Sequence, residues 1–521
     1  MTIPLLTILG LLPLIGGLLA FLFAGRSGKI VAFAFSLLVA AVGLLAFLMA
    51  GSSNLNEQYT WIPAIGANYA LGLDGMGRTM VLLTVILVPI VLLSQWNISD
   101  VGSREPRVDD LYVQKPRWGA NVFGGLVLIM ESLALFVFLA SDVLLFYIFF
   151  EATLLPMYFL IVGWGGEKAV RAAMKFLIYS LAGGLVMLFG IVGVYAVTSA
   201  QGAPSFLISD FTVEPAGALG KWIFVAFFIA FAIKAPMVPV HTWLPDTAEQ
   251  SNPGATALLV GVLDKIGTFG MIKLCLTMFP EASKWAAPVI LVLAVISILY
   301  GAVLAIASSN LLRLVSYTSV SHFGFMVLGI FAFTTTSLNG SMFYMLGHGV
   351  SSALLFLIVD MLIKRRGSAE INAFGGVQKI APLIAGVFLL GGLATMGLPG
   401  TMNFVGEYSI MVGAFTRHPV LVGFAVLGTV LAAVYALWAY QRVFTGEPTP
   451  TVTTHVTSDL TALERLTLAP LIILVLVFGF FPKPFTQIVQ PVADGSMASV
   501  QLADPVQGGA TGSVDEPRGG K

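Results

Sequence analysis

Long uninterrupted apolar runs are the feature that most constrains how this chain can fold. A helix needs about 20 apolar residues to cross the roughly 30 Å hydrocarbon core of a membrane, and runs of that length recur about fourteen times here. The runs are continuous and do not alternate with polar residues, which favours helices over a membrane barrel. We therefore predict an all-α integral membrane protein with spans near 3–25, 29–51, 79–99, 120–141, 142–163, 169–198, 219–240, 254–276, 285–308, 313–333, 340–363, 380–412, 421–441 and 466–487.

Composition supports the membrane class and excludes several functions. Only 10% of the residues are charged, against about 25% in soluble domains, and the net charge of zero gives no attraction to nucleic acid. The lone Cys275 cannot form an internal disulfide or a thiolate metal cluster, and no Gly-rich phosphate loop or dinucleotide motif is present. Five scattered histidines show no metal-ligand spacing: His241, His322, His348, His418 and His455. We predict no metal, cofactor or redox centre in this chain.

The two ends of the chain are predicted to lie outside. The first apolar run lacks the basic flank of a cleavable signal peptide, and another span follows almost at once, so it is interpreted as the first transmembrane helix. With residue 1 outside, the inside segments hold roughly twice as many Lys and Arg residues as the outside ones, including Lys364-Arg-Arg366. Both termini on one side require an even number of spans.

Two spans are predicted to be broken. Lys234-Ala-Pro-Met-Val-Pro239 interrupts one and Met396-Gly-Leu-Pro-Gly400 interrupts another, because Pro removes an internal hydrogen bond of a helix. Paired interrupted helices in two halves of a membrane protein indicate a transport site. The predicted organisation is 1–119, N-terminal spans 1–3 and loops; 120–284, a first five-helix repeat; 285–446, a second; 447–487, an inside loop and the last span; and 488–521, a disordered polar tail.

A few titratable residues fall at mid-membrane depth, where a charge costs several kcal/mol by the gentler scales. They share similar depths on different spans, which is what a route for protons requires. The candidate site residues are Glu151, Lys234, Lys265, His322, His348 and Glu407.

Each candidate also has a structural interpretation. A buried Lys or Glu can fix helix packing through an ion pair, and a buried His can be a hydrogen-bonded packing residue. Glu131 and Lys175 lie nearer helix ends, where a structural or snorkelling role is the better interpretation. Asp264 points about 100° away from Lys265 around a helix, so it could serve a different neighbour, and its role stays open, as does that of Asp360.

Five motifs, in order over roughly residues 70–485, resemble the antiporter-like subunits of respiratory complex I, the NADH:quinone oxidoreductase. They are Phe149-Phe-Glu-Ala-Thr-Leu-Leu-Pro-Met-Tyr-Phe-Leu160, Lys175-Phe-Leu-Ile-Tyr179, Lys234-Ala-Pro-Met-Val-Pro-Val-His-Thr-Trp-Leu-Pro-Asp246, Ser319-Val-Ser-His-Phe-Gly324 and Gly397-Leu-Pro-Gly-Thr-Met-Asn-Phe-Val-Gly-Glu407. Glu407 stands where two of the member types usually have Lys, and the chain lacks the long lateral helix of one of them.

The resemblance implies fourteen helices in two inverted five-helix repeats. It implies that Glu151 pairs with Lys234, that Lys265 and the histidines carry protons along a polar axis, and that Glu407 is the terminal site. It also implies a bacterial plasma membrane location beside other complex I membrane subunits, including neighbouring antiporter-like subunits. NADH, quinone, FMN and iron–sulfur clusters would then belong to partner subunits, whose quinone reduction drives proton pumping.

The sequence departs from the family pattern at three places. Asn310-Leu-Leu-Arg-Leu314 has lost two charges, Thr247-Ala-Glu-Gln-Ser-Asn-Pro253 replaces a His and Glu-Ala-Pro pattern, and Asp264 and Asp360 replace small or apolar residues. Two other functions stay open: a subunit of a multisubunit cation/proton antiporter, and a membrane scaffold whose ion pairs are fixed.

Overall fold

The fold is a bundle of apolar helices with one small hairpin. The structure is a computed structural model that describes residues 4–51, 55–98, 116–211, 214–215 and 217–505. Helices of the first half are α1 (Leu5–Leu22), α2 (Gly25–Met49), α3 (Gly75–Ser94), α4 (Ala120–Leu139), α5 (Val143–Ala152), α6 (Leu154–Trp164), α7 (Ala169–Ala200), α8 (Ala218–Lys234), α9 (Trp243–Gln250), α10 (Pro253–Leu258) and α11 (Lys265–Gly270). Two π-helical turns, Leu259–Leu263 and Met271–Leu276, flank α11.

The second half continues the same pattern. Its helices are α12 (Pro280–Ala307), α13 (Leu311–Phe331), α14 (Thr335–Arg366), α15 (Pro382–Thr395), α16 (Met402–Phe415), α17 (Pro419–Phe444), α18 (Pro450–His455), α19 (Ala462–Phe480) and α20 (Lys483–Val500). Short 3-10 turns lie at Pro63–Ile65, Ile208–Asp210, Ile371–Ala373 and Val377–Lys379.

The predicted all-α membrane fold is confirmed. Within the described residues, 12 helical segments are long and apolar enough to cross a membrane. The two spans predicted to be broken are indeed interrupted, one between α8 and α9 and the other between α15 and α16. The count of fourteen and the inverted repeats stay predictions.

A β-hairpin near the N-terminus was not predicted. Strands β1 (Asn56–Ile62) and β2 (Ala67–Gly72) pair antiparallel, with Tyr59 opposite Tyr69, where the sequence analysis expected only a loop. Gly66 adopts a positive φ of 73° in the tight connection, a conformation that Gly adopts without steric cost. The backbone N–H of Asn68 donates to Asp142 (2.9 Å), so the hairpin is tied to the start of α5.

The predicted polar tail is wrong for residues 488–500. These residues belong to α20, which packs against α3 and α14. Residues 506–521 lie outside the described part of the chain. The buried face of α20 is formed by Phe485, Val489, Ala493, Ser496, Met497 and Val500, a helical spacing that the high content of Gly, Ser and Asp obscured.

The most buried elements lie at the centre of the bundle and carry most of the candidate site. Every residue of Pro253–Leu276 except Lys273 is buried, and so is α14 from Ser337 to Ile363, whereas most residues of α2 and α19 face outward. Helix α14 packs against α3, α10, α13, α15, α16 and α20. A side chain in the buried middle of α14 or of the segment that contains Lys265 is therefore surrounded by protein, where a charge is costly.

Candidate functional site

The six predicted site residues lie on different helices of the bundle interior. Glu151 is on α5, Lys234 ends α8, Lys265 begins α11, His322 and His348 lie on α13 and α14, and Glu407 is on α16. Glu151 is half-buried, and each of the other five is at most 3% exposed. Five of the six are thus removed from bulk water, and Glu151 is removed from it in part.

Lys234 lies at the point where a membrane span is interrupted. Helix α8 ends with this residue, and its open end is satisfied by other elements: the indole N–H of Trp243 donates to the carbonyl of Ile233 (2.9 Å). The backbone N–H of Val238 donates to the hydroxyl of Ser297 (3.0 Å). An ammonium at a helix C-terminus is also favoured by the helix dipole. The break therefore places the side chain of Lys234 at the negative end of the α8 dipole.

Glu151 and Lys234 interact electrostatically but do not form a hydrogen bond with each other. Nζ of Lys234 has no hydrogen-bond partner among the described residues and lies 5.3 Å from the ring centroid of Phe150. The two groups interact electrostatically. Beside Glu151, helix α7 has Gly184, where an added Cβ would come within 1.7 Å of the carboxylate. A carboxylate at this position can act electrostatically on Lys234 without forming a fixed ion pair with it.

Lys265 is held by a distortion of its own helix. In the π-helical turn before it, the N–H of Asp264 bonds back five residues to the carbonyl of Leu259 (3.0 Å). The carbonyl of Val260 instead accepts from Nζ of Lys265 (2.8 Å), and Nζ also lies 2.8 Å from Nδ1 of His348. π-Bulges are frequent at functional sites. Here the extra residue of the π-helical turn lets the backbone carbonyl of Val260 accept a hydrogen bond from the buried amine of Lys265.

A chain of rings continues from Lys265 toward Glu407. The rings of His348 and His322 lie 5.1 Å apart edge to face, and Nε2 of His322 is 3.1 Å from the hydroxyl of Tyr435 on α17. Tyr435 in turn interacts electrostatically with Glu407. The sequence analysis missed Tyr435, because a Tyr in a membrane helix gives no signal that separates packing from proton transfer.

Glu407 lies beside the second break. Its carboxylate is within 2.5 Å of where a Cβ on Gly397 would be, and it accepts a long hydrogen bond from Thr429 on α17 (3.5 Å). Gly397 has a positive φ of 71° in the interruption between α15 and α16. The break thus makes room for the carboxylate, as Gly184 does for Glu151.

Lys175 belongs to a cluster at the predicted inside end of the bundle. It donates to Asp246 (2.6 Å), and Arg313 donates to both Asp246 (2.8 Å) and Glu249 (2.7 Å). Burial alone would raise the pKa of Asp246, but the hydrogen bonds from Lys175 and Arg313 hold it below its ordinary value. The groups line an open cavity of about 650 Å³. These contacts support the structural interpretation of Lys175.

Asp360 and Glu131 are two further buried carboxylates whose surroundings differ. Asp360 accepts hydrogen bonds from Lys364 (2.6 Å) and from the side chain of Gln95 (2.7 Å), which joins α14 to the end of α3. Glu131 is fully buried on α4 with no hydrogen-bond partner for its carboxylate among the described residues. Asp360 therefore has the contacts of a structural ion pair, whereas Glu131 has no such contact within the described part of the chain.

Comparison with known proteins identifies the family. Residues 140–432 match the family model described as "NADH:quinone oxidoreductase/Mrp antiporter, TM". The chain is 42% identical to NADH-quinone oxidoreductase subunit M of Mycobacterium tuberculosis over 96% of each chain, and 35% identical to that of Rhodobacter capsulatus over 90% of each. The chain belongs to the NADH-quinone oxidoreductase subunit M family. The resemblance found in the sequence is thereby confirmed.

Solved structures agree with this membership. The chain is similar to one of respiratory complex I from Thermus thermophilus with bound NADH, with a TM-score of 0.85, 30% identity and coverage of 95% and 99% of the two chains. A chain of the Mrp complex from Dietzia shares the fold, with a TM-score of 0.81 and 20% identity over 96% and 100% of the two chains. The antiporter alternative is therefore less supported than the complex I subunit.

Proposed function

We propose that this chain translocates protons within a membrane-bound NADH:quinone oxidoreductase, through Glu151, Lys234, Lys265, His322, His348 and Glu407. One observation carries the proposal: Nζ of Lys265, wholly buried, is 2.8 Å from Nδ1 of His348. An amine and an imidazole at hydrogen-bond distance can exchange a proton. In a site that excludes water, that exchange is a step along the membrane interior.

Electrostatics gives the step its direction. Burial disfavours a charged Lys, and a nearby carboxylate favours it. A change of charge near Glu151 would therefore alter how tightly Lys234 holds its proton, and the effect would pass to the next buried group. Such a sequence needs no redox centre in this chain. A single Cys275 also offers too few thiolates for an iron–sulfur cluster.

Partner subunits complete the proposal. Nothing in a row of acids, amines and imidazoles harvests redox energy, so we assign NADH oxidation, FMN, the iron–sulfur clusters and quinone reduction to other subunits. Glu151 and Glu407 lie toward opposite ends of the row of site residues. In this proposal, charges in neighbouring antiporter-like subunits, one on each flank, act on these two carboxylates.

Deletion of the chain separates this function from its rival. In inverted vesicles of the bacterial plasma membrane, NADH should acidify the lumen when the chain is present, and deletion should abolish that acidification. Re-expression of the native chain should restore it. Sodium-dependent proton exchange that needs no respiratory substrate, lost in the same deletion, would instead support the cation/proton antiporter.

A further inference from the structure

Asp264 is the most unusual buried group outside the six site residues. It is 0% exposed, and neither of its carboxylate oxygens has a hydrogen-bond partner among the described residues. Burying a carboxylate without hydrogen-bond partners costs free energy, and another interaction must compensate for that cost. The groups around Asp264 show which interaction this is.

The face of the helix that bears Asp264 packs against the end of α8. Three residues on, an added Cβ at Gly267 would come within 2.6 Å of both the N–H nitrogen of Ala235 and the carbonyl oxygen of Phe231. Residues three apart lie on one helix face, so Asp264 points toward the interruption where Lys234 ends α8. The charges of Asp264 and Glu151 both act on Lys234.

The adjacent residue, Lys265, faces the other side. A Cβ added to Gly261, four residues before Lys265, would lie 3.3 Å from the carbonyl oxygen of Gly349, and Lys265 itself reaches His348 on the same helix α14. Asp264 and Lys265 therefore point from one helix toward two different neighbours. The charge of Asp264 also acts on Lys265.

We propose that Asp264 is a proton-carrying residue that joins the Glu151–Lys234 site to the Lys265–His348 site. The inference rests on the proposed function and adds its missing link. In the first step the Lys234 ammonium gives a proton to the Asp264 carboxylate, leaving an amine and a carboxylic acid. In the second step that acid gives the proton to the neutral Lys265 amine, which regenerates the carboxylate. Charge and protons balance in both steps.

The test compares two equally buried carboxylates. Asp264→Asn keeps the size of the side chain but cannot take up a proton, and it should lower NADH-driven acidification per assembled complex by at least about tenfold. Glu131→Gln, whose carboxylate is also 0% exposed and unpartnered, is the matched control and should keep more than half of the native rate. Asp264→Glu should restore most of the activity. NADH oxidation by an artificial acceptor gives the amount of assembled complex.

A second readout separates a carrier from a fixed counterion. Infrared difference spectra of the complex, oxidised against NADH-reduced, should contain a protonated-carboxyl band that Asp264→Asn removes and Glu131→Gln keeps. If the Asn variant does not assemble, a shift of that band in Asp264→Glu serves the same purpose. Carboxyl bands that no Asp264 variant alters, or pumping by Asp264→Asn at more than half of the native rate, would overturn the inference. Native pumping by Lys234→Met and Lys265→Met would overturn the proposed function instead.

Discussion

Three buried titratable residues of this chain, Lys265, Lys234 and Glu407, are compensated in different ways. Lys265 has a carbonyl released by a π-helical turn and the imidazole of His348. Lys234 lies at a helix C-terminus against the rings of Phe150 and Phe176, with no hydrogen bond among the described residues. Glu407 has one long hydrogen bond. Few hydrogen bonds to a buried charge suit a group that must gain and lose a proton. In a purely structural ion pair, the two charged groups would be in direct contact.

Tyr435 offers a sharp test at the residue scale. Tyr435→Phe removes the hydroxyl that lies 3.1 Å from Nε2 of His322 and keeps the ring. If this hydroxyl passes protons toward Glu407, NADH-driven acidification should fall about tenfold or more. The rate is measured in vesicles and normalised to the amount of complex.

The matched control is five residues further along the same helix. Tyr440→Phe also loses a hydroxyl hydrogen bond, to Gln378 (3.2 Å), but outside the row of site residues, and it should pump normally. Equal rates for the two variants, whether both high or both low, would remove Tyr435 from the route.

How far the sequence predicted the site differs from residue to residue. Lys234, Lys265 and Glu407 could be found because a charge in an apolar run is conspicuous. The partner of Lys265 could not, since no sequence pattern marks the π-helical turn that frees the carbonyl of Val260. Tyr435 was missed because an aromatic residue in a membrane helix is ordinary.

At the scale of elements, hydrogen bonds at the interruptions and ion pairs at the helix ends connect neighbouring helices. The gap between α8 and α9 is closed by hydrogen bonds to Trp243 and Ser297, so the break is a defined structure. At the predicted inside end, Asp246 on α9 joins Lys175 of α7 to Arg313 of α13. Pro and Gly marked both breaks in advance. Only the packed structure shows what closes them.

Replacing Asp246 should loosen that junction in a pH-dependent way. Asp246→Asn should lower the temperature at which the complex loses half its activity by a few degrees, because two cations lose their shared carboxylate. Since hydrogen bonds hold the pKa of Asp246 below 3.8 in the folded chain, the stabilisation should be complete above about pH 5 and disappear as the pH falls through the folded pKa.

A surface carboxylate provides the comparison for this junction. Asp210→Asn, whose carboxylate accepts hydrogen bonds from the hydroxyls of Ser205 and Ser209, should leave the inactivation temperature unchanged. A stability difference between native and Asp246→Asn complexes that grew as the pH fell would contradict the assigned role of Asp246.

At the scale of the whole molecule, helix α20 and the basic ends define two sides. Helix α20 lies against α3 and α14, and Asn339 donates to Gln490 (2.6 Å), which fixes it at the end opposite Lys175 and Arg313. Its apolar spacing could have been recognised, but the polar composition of residues 488–505 favoured disorder. With the basic side inside, we expect α20 to face outward.

Cysteine labelling tests this orientation directly. In a Cys275→Ser background, Ser499→Cys on α20 should react with a membrane-impermeant maleimide in intact cells. Thr454→Cys, exposed on α18 at the opposite end, should react only after the membrane is opened. The reverse pattern would place both termini inside.

The central claim is that buried titratable groups carry protons through this chain, and Lys265, hydrogen-bonded to His348 at the centre of the bundle, tests it most directly. The decisive measurement is NADH-driven acidification of inverted vesicles by Lys265→Met, normalised to NADH oxidation with an artificial acceptor. The account predicts a complex that assembles and oxidises NADH but acidifies the lumen at least about tenfold more slowly. Acidification at the native rate per assembled complex would contradict it.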